Sequence, residues 1–119
     1  MPEEIYVIPF GQSLPTDTSV ATLYTVTNRN KTLRHAVLDS VLVCEVTGTD
    51  RTFSIYVDND GAETWGNGKA IFKDVEIKGN QSVLVECAVV LLADATIGVQ
   101  SSAGSALNFT GSGREIVTR

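Results

Sequence analysis

The side chains able to do chemistry are few and badly placed for it. His35 is the only histidine in the chain, with Asp39 and Ser40 close behind it. A Ser-His-Asp relay needs its serine raised on a strained turn such as G-x-S-x-G, and the sequence holds no such elbow. His35 therefore reads as a strand residue facing solvent or a partner. Cys44 and Cys87 both stand among valines, whereas a reactive thiolate needs exposure and nearby positive charge. One histidine and two distant cysteines match no zinc spacing. The acidic stretch Asp58-Asn59-Asp60-Gly61-Ala62-Glu63 invites a calcium reading. An EF-hand register with Gly61 sixth, however, would need acids where Tyr56 and Asn67 stand. A turn is the simpler account, because Asp, Asn and Gly accept left-handed geometry. The glycines between positions 61 and 68 lack the order of a phosphate-binding loop. No catalytic residue, metal site or cofactor is expected. Trp65 is the exception, since in a glycine-rich loop it would stack on a ligand with Tyr56 or else fold over its own domain.

The elements that would position such residues are strands. The chain has 119 residues, 43% of them hydrophobic and 19% charged, enough for one core without staples and too apolar for disorder. Val, Ile and Thr are abundant, and these fit a pleated surface better than a helix. A formal net charge of −5 with nine scattered Lys and Arg argues against direct contact with nucleic acid. The longest apolar run, 88–93, is too short to span a bilayer. The opening Met1-Pro2-Glu3-Glu4 is not an export signal, so the two cysteines are expected as free, buried thiols.

From residue 19 onward, β-rich runs alternate with turn clusters. Runs are expected at 20–27, 33–47, 52–57, 70–77, 82–89, 96–100 and from 107. The second is long enough to bend, and the last is broken at Gly111-Ser112-Gly113. Phe53, Ile55 and Val57 alternate with Thr52, Ser54 and Tyr56, the period of a strand with one face on a core. The expected fold is an all-β, antiparallel β-sandwich, jelly-roll-like, with seven to eight strands. An immunoglobulin domain would place a Tyr two residues before Cys87, but Val85 stands there, and Trp65 lies in a turn rather than on a core strand.

Residues 1–18 read as an extended arm apart from a domain at 19–119. Pro2, Pro9 and Pro15 interrupt strand pairing, yet Ile5, Tyr6, Val7, Ile8 and Phe10 carry apolar surface that must be buried. These five are the expected partner-binding residues. Exposed sheet edges add an expectation of self-association, as a trimer or ring.

Several stretches carry a resemblance: Leu23-Tyr24-Thr25-Val26 through Asn30-Lys31-Thr32, Leu42-Val43-Cys44, and Arg51-Thr52-Phe53-Ser54-Ile55-Tyr56-Val57. It continues through Ala70-Ile71-Phe72-Lys73-Asp74-Val75-Glu76-Ile77, Val83-Leu84-Val85-Glu86 and Ala95-Thr96-Ile97-Gly98-Val99-Gln100. The chain resembles small all-β structural proteins of tailed-bacteriophage virions. That resemblance implies a non-enzymatic virion protein, made in the host cytoplasm, serving as capsid decoration or as a neck or tail component. Its partners would be itself and other virion proteins such as the major capsid protein. The competing reading is a glycan-binding adhesin module of a tail or fibre, with Trp65 and Tyr56 as its platform.

Overall fold

β-branched residues at period two give strands, and the turn clusters between them set where each strand stops. The computed structural model describes residues 3–26, 33–60 and 64–118. Eight strands run through them: β1 (Glu3–Ser13), β2 (Ala21–Thr25), β3 (Leu33–Glu45), β4 (Arg51–Asp58), β5 (Ala70–Ile77), β6 (Ser82–Leu91), β7 (Thr96–Ser101) and β8 (Leu107–Thr118). A 3-10 turn at Asn67–Lys69 leads into β5. The strands form two four-stranded sheets, β1-β8-β3-β6 and β2-β7-β4-β5, here called the first and second sheet.

The pairing is nested. β1 pairs with β8, β2 with β7, β3 with β6 and β4 with β5, each antiparallel. The contacts β3–β8 and β4–β7 join these pairs into sheets. The chain is thus one long hairpin, folded between β4 and β5 and rolled so that successive pairs fall in opposite sheets. This is a jelly roll, as the turn spacing implied. Between the sheets lie Phe53, Phe109, Leu38, Ile55, Ile97 and Leu107, all fully buried. Phe53 meets Phe109 edge-on at 6.2 Å, the geometry aromatic rings prefer.

Two expectations from the sequence fail, each for a local reason. The glycines at 111 and 113 do not break the last strand, because β8 runs unbroken from Leu107 to Thr118. They make room instead. A Cβ at Gly113 would lie 2.2 Å from the Val37 carbonyl oxygen and 2.5 Å from Phe10 Cζ, and one at Gly111 would lie 2.9 Å from Leu23 Cδ2. Nor does a boundary fall at residue 18. From Glu3 to Ser13 the supposed arm is the edge strand of the first sheet, paired with β8. An edge strand tolerates a proline whose missing donor faces outward. The register shifts between Pro9 and Gly11, where Gly11 takes φ +111°. That shift turns Phe10 into the core, stacked 3.9 Å from the Tyr24 ring of the other sheet.

The loops 14–20, 46–50, 78–81 and 102–106 meet at one end of the roll. Backbone hydrogen bonds tie them: Glu45 N to Gln81 O at 2.9 Å, Val46 N to Ala106 O at 2.9 Å and Ser105 N to Pro15 O at 2.8 Å.

Candidate functional site

Each sheet has one face on the core and one face outward, and the two outward faces differ. On the second sheet, Ser54, Tyr56 and Asp58 of β4 alternate with the core residues Phe53, Ile55 and Val57. Alternation should leave the first three in water, yet all are buried. The chain itself covers them. Trp65, from the loop after β4, sits 6.0 Å from the Tyr56 ring at a tilt of 58°. It also lies over Gly98 of β7, where a Cβ would come within 3.0 Å of its ring. Gln100 Nε2 donates to Thr18 O at 3.0 Å, which holds down the segment before β2. Tyr56 donates to Gln100 Oε1 at 2.6 Å and accepts from Lys73 Nζ at 3.2 Å.

Lys73 reaches that position through a bulge. Register shifts between Phe53 and Ile55, and Asp74 takes φ +51°. The bulge aims the Asp74 amide at Ser54 Oγ, 3.0 Å away. A cleft of about 240 Å³ opens beside it, lined among others by Thr52, Ser54, Lys73 and Gln100. Ser54, Gln100 and Ser102 already use polar atoms there on backbone groups of their own chain.

Two buried carboxylates fasten the ends of the roll. Glu45, at the end of β3, accepts from the amides of Thr47 at 2.9 Å, Gly48 at 2.6 Å, Thr49 at 3.2 Å and Asn80 at 3.2 Å, and from the Thr47 hydroxyl. Burial pushes its carboxyl up, but the Thr47 hydroxyl and these amides outweigh burial and hold it at about 2. Hydrogen bonds to the charged form have that effect. At the other end Asp58 meets Lys69 Nζ at 2.8 Å, and Asp60 meets the same ammonium at 3.0 Å. Hydrogen bonding with Asp60 and with Lys69 holds Asp58 well below the usual carboxylate range. Within the acidic stretch, Lys69 thus answers the charge of Asp58 and Asp60, and positions 61–63 lie outside the described residues.

Among the described residues, the outward face of the first sheet has no such cover. Its cross-strand rows follow from the register. One row runs Gln12, Thr110, Leu42, Leu84, and the next Pro9, Ser112, Ser40, Glu86. The third runs Val7, Arg114, Val37, Val90, followed by Ile5, Ile116, His35. Val7 is 79% exposed, Ile5 60%, Leu84 57%, Val90 52% and Leu42 42%. Between the aliphatic rows the Ser40 and Ser112 hydroxyls lie 3.1 Å apart. Asp39, where the β3 register shifts, takes Arg114 in a forked contact, with Nε 3.1 Å from Oδ2 and Nη2 3.0 Å from Oδ1.

The residues singled out from sequence are scattered over this frame. His35 lies beside Ile116 on the bare face, and its supposed relay partners are engaged elsewhere, Asp39 with Arg114 and Ser40 with Ser112. Cys44 and Cys87 are free and half-buried. They occupy adjacent strands, but Cys87 packs on the core, whereas Cys44 alternates outward between buried Val43 and Glu45. Burial, and then Asp39, push the Cys87 thiol up. Trp65 and Tyr56 do come together, as a lid and the surface beneath it. Tyr56 is 3% exposed and offers no ring face to a ligand. Of the five arm residues, Phe10 is core and Ile8 packs against it, while Ile5, Tyr6 and Val7 remain exposed. Leu42, Leu84 and Val90 were missed. The available signal was Leu84 and Val90, which put apolar side chains on the second face of a strand whose first face is already Val83, Val85 and Val89.

No protein-family model matches the chain, and no curated protein matches it in sequence. Solved structures do match in fold. In the crystal structure of the T13 particle of infectious bursal disease virus, a chain superimposes with a TM-score of 0.57 at 8% identity, covering 98% of this chain and 31% of that one. A chain of the Gx strain of the same virus gives 0.54 at 11% identity, covering 97% and 32%. This chain thus spans about a third of the length of those solved chains. At such identities the likeness establishes the fold.

Proposed function

We propose that this chain is a structural, non-enzymatic component of a viral particle that associates with itself and with other virion proteins. The observation that carries the reading is the bare aliphatic face of the first sheet, on a jelly roll whose other sheet has the outward positions of β4 covered and polar residues exposed along β5. Exposed apolar surface of this extent on a small domain marks an interaction site. The fold likeness to chains of a virus particle supports the same reading, and so does the engagement of Asp39 and Ser40 away from His35. The finer assignment is a tailed-phage virion protein, as capsid decoration or as a neck or tail component, and it rests on the sequence resemblance.

The test is to purify the particles produced where this chain is expressed and to measure its copy number by mass spectrometry. A fixed, multiple number of copies per particle is the expected result. Absence from purified particles, with the chain abundant in the lysate, would overturn the proposal. The glycan-binding reading is weaker, because Tyr56 lies beneath Trp65 rather than beside it in the open.

A further inference from the structure

We infer that the outward face of the first sheet is the contact between two copies of this chain, packed face to face with the Ser40–Ser112 row at the centre. The inference deepens the proposed self-association by naming its surface, and it rests on that reading.

Three observations point to a second copy as the occupant. The first is size. Four strands about 4.8 Å apart, each presenting roughly nine residues at 3.3 Å, give a face on the order of 600 Å² in projection. Pleated, such a face supplies about the 800 Å² of accessible surface that each partner contributes to a standard interface. The second is charge. The chain carries −5 overall, so copies repel except where they are locally neutral. Arg114 and Asp39 neutralise each other on this face, and Glu86, on the β6 edge, is the other charged residue in the rows described above. A partner chosen by opposite charge would find little here to read.

The third is the symmetry of the pattern. The hydroxyls of Ser112 and Ser40 form the centre of the middle row, between Pro9 and Glu86, with Leu42 and Leu84 on one side of it and Val37 and Val90 on the other. A two-fold axis along the middle row brings Ser40 and Ser112 against their own copies and Leu84 against Val90, and the two Glu86 side chains meet at the outer β6 edge, where water reaches them. Sheets pack face to face about 10 Å apart by interdigitating such side chains. The contact is isologous and closes at two copies, and each dimer presents its second sheets outward, with polar residues exposed along β5.

The experiment is sedimentation velocity on the full chain at about 100 µM, a concentration that populates dimers of micromolar affinity. It is run beside Leu84→Glu/Val90→Glu and a control, Glu76→Lys, on the exposed side of β5. In a Cys44→Ser/Cys87→Ala background, Ser112→Cys is treated with a short bismaleimide. A wild-type and control dimer, a monomeric double variant with an unchanged thermal melt, and a covalent dimer from Ser112→Cys would establish the contact. If the wild type dimerises and the double variant does so equally, the face is wrong and the self-association reading stands. If the wild type is monomeric but the double variant fails to enter particles, another virion protein covers the face and the second-copy inference falls. A monomeric wild type whose double variant enters particles normally would overturn both. If the double variant misfolds, the Ser112→Cys crosslink decides alone, and its absence overturns the contact.

Discussion

The two outward faces of this roll are built from the same kind of strand and end in opposite states. On the second sheet, the outward positions of β4 are Ser54, Tyr56 and Asp58, all buried. Ser54 accepts from the Asp74 amide at the β5 bulge, Trp65 lies against Tyr56, and Asp58 accepts from the Thr64 amide and Lys69 of the segment that follows β4. On the first sheet the outward positions are Leu42, Leu84, Val90 and Val7, which none of the described residues covers. The lesson is physical. Polar outward residues recruit loops, because a loop brings backbone groups that need partners. Aliphatic outward residues have nothing to offer a loop's backbone and are covered by another apolar surface or remain in water. Alternation along a strand thus identifies the core face but not the fate of the other face.

The largest effect that tests this contrast is expected at Tyr56. Tyr56→Ala removes the surface beneath Trp65 and the acceptor for Lys73, and leaves a cavity under the cover. The expected cost is about 3–4 kcal/mol, typical of truncating a buried aromatic, read from urea denaturation. Trp65 is the chain's only tryptophan, so its emission should shift red in the same variant. A loss below about 1 kcal/mol would mean that the cover does not depend on Tyr56. Trp65→Ala, at a half-buried ring, should cost less, about 1–2 kcal/mol.

Much of the fold could be read in advance because burial and turn chemistry are local signals. Ala70–Ile77 coincides with its expected run, and the bend foreseen in the second run is the register shift at Asp39. The errors came where tertiary contact overrides local preference. Gly111 and Gly113 look like a break until Phe10 and Leu23 are seen to need their space. Residues 1–18 look like an arm until Phe10 stacks on Tyr24, which lies in the opposite sheet and is invisible to any window along the chain. The fate of Trp65 was undecidable from sequence, because Gly98 and Val20, which it packs near, are remote in sequence.

The covered face has a pH signature as well. Asp58 is held below its ordinary value of 3.8, and Glu45, which fastens the loops at the far end, is lowered from 4.5 to about 2. A carboxyl lowered in the folded state adds stability that is complete above its unfolded value and fades as pH falls toward its folded value. The stability difference between wild type and Glu45→Gln should therefore be level above pH 4.5 and shrink steadily toward pH 2. For Asp58→Asn the difference should start to shrink only below about pH 3.8. Denaturant midpoints across this range measure both. A difference independent of pH would show that neither carboxylate is tied as described.

A smaller effect separates the inner and outer sides of the first sheet. Cys44 alternates outward, and Cys87 packs on the core with its thiol pushed up by burial. A neutral, covered thiol is a poor nucleophile. Labelling of the native monomer, followed by peptide mass analysis, should modify Cys44 well before Cys87, and the two should become equal in denaturant. Equal native rates would contradict the assignment of faces.

The smallest effect is the most informative about the bare face. Val7 is 79% exposed in the middle of an edge strand, so its side chain contributes almost nothing to the fold of one copy. Val7→Thr keeps the branched shape and the strand preference while adding a hydroxyl that water can solvate. Monomer stability should stay within about 0.5 kcal/mol of wild type, the usual range for surface changes. Phe10→Ala, three positions along the same strand but turned into the core, should cost about 3–4 kcal/mol. The two variants share β1, its pairing with β8 and its proline, and each is read against the cost that its own facing predicts. If Val7→Thr destabilised the dilute monomer by more than about 1 kcal/mol, its side chain would have to be packed within one chain. The face would then already be covered, and the contrast between the two sheets would fail.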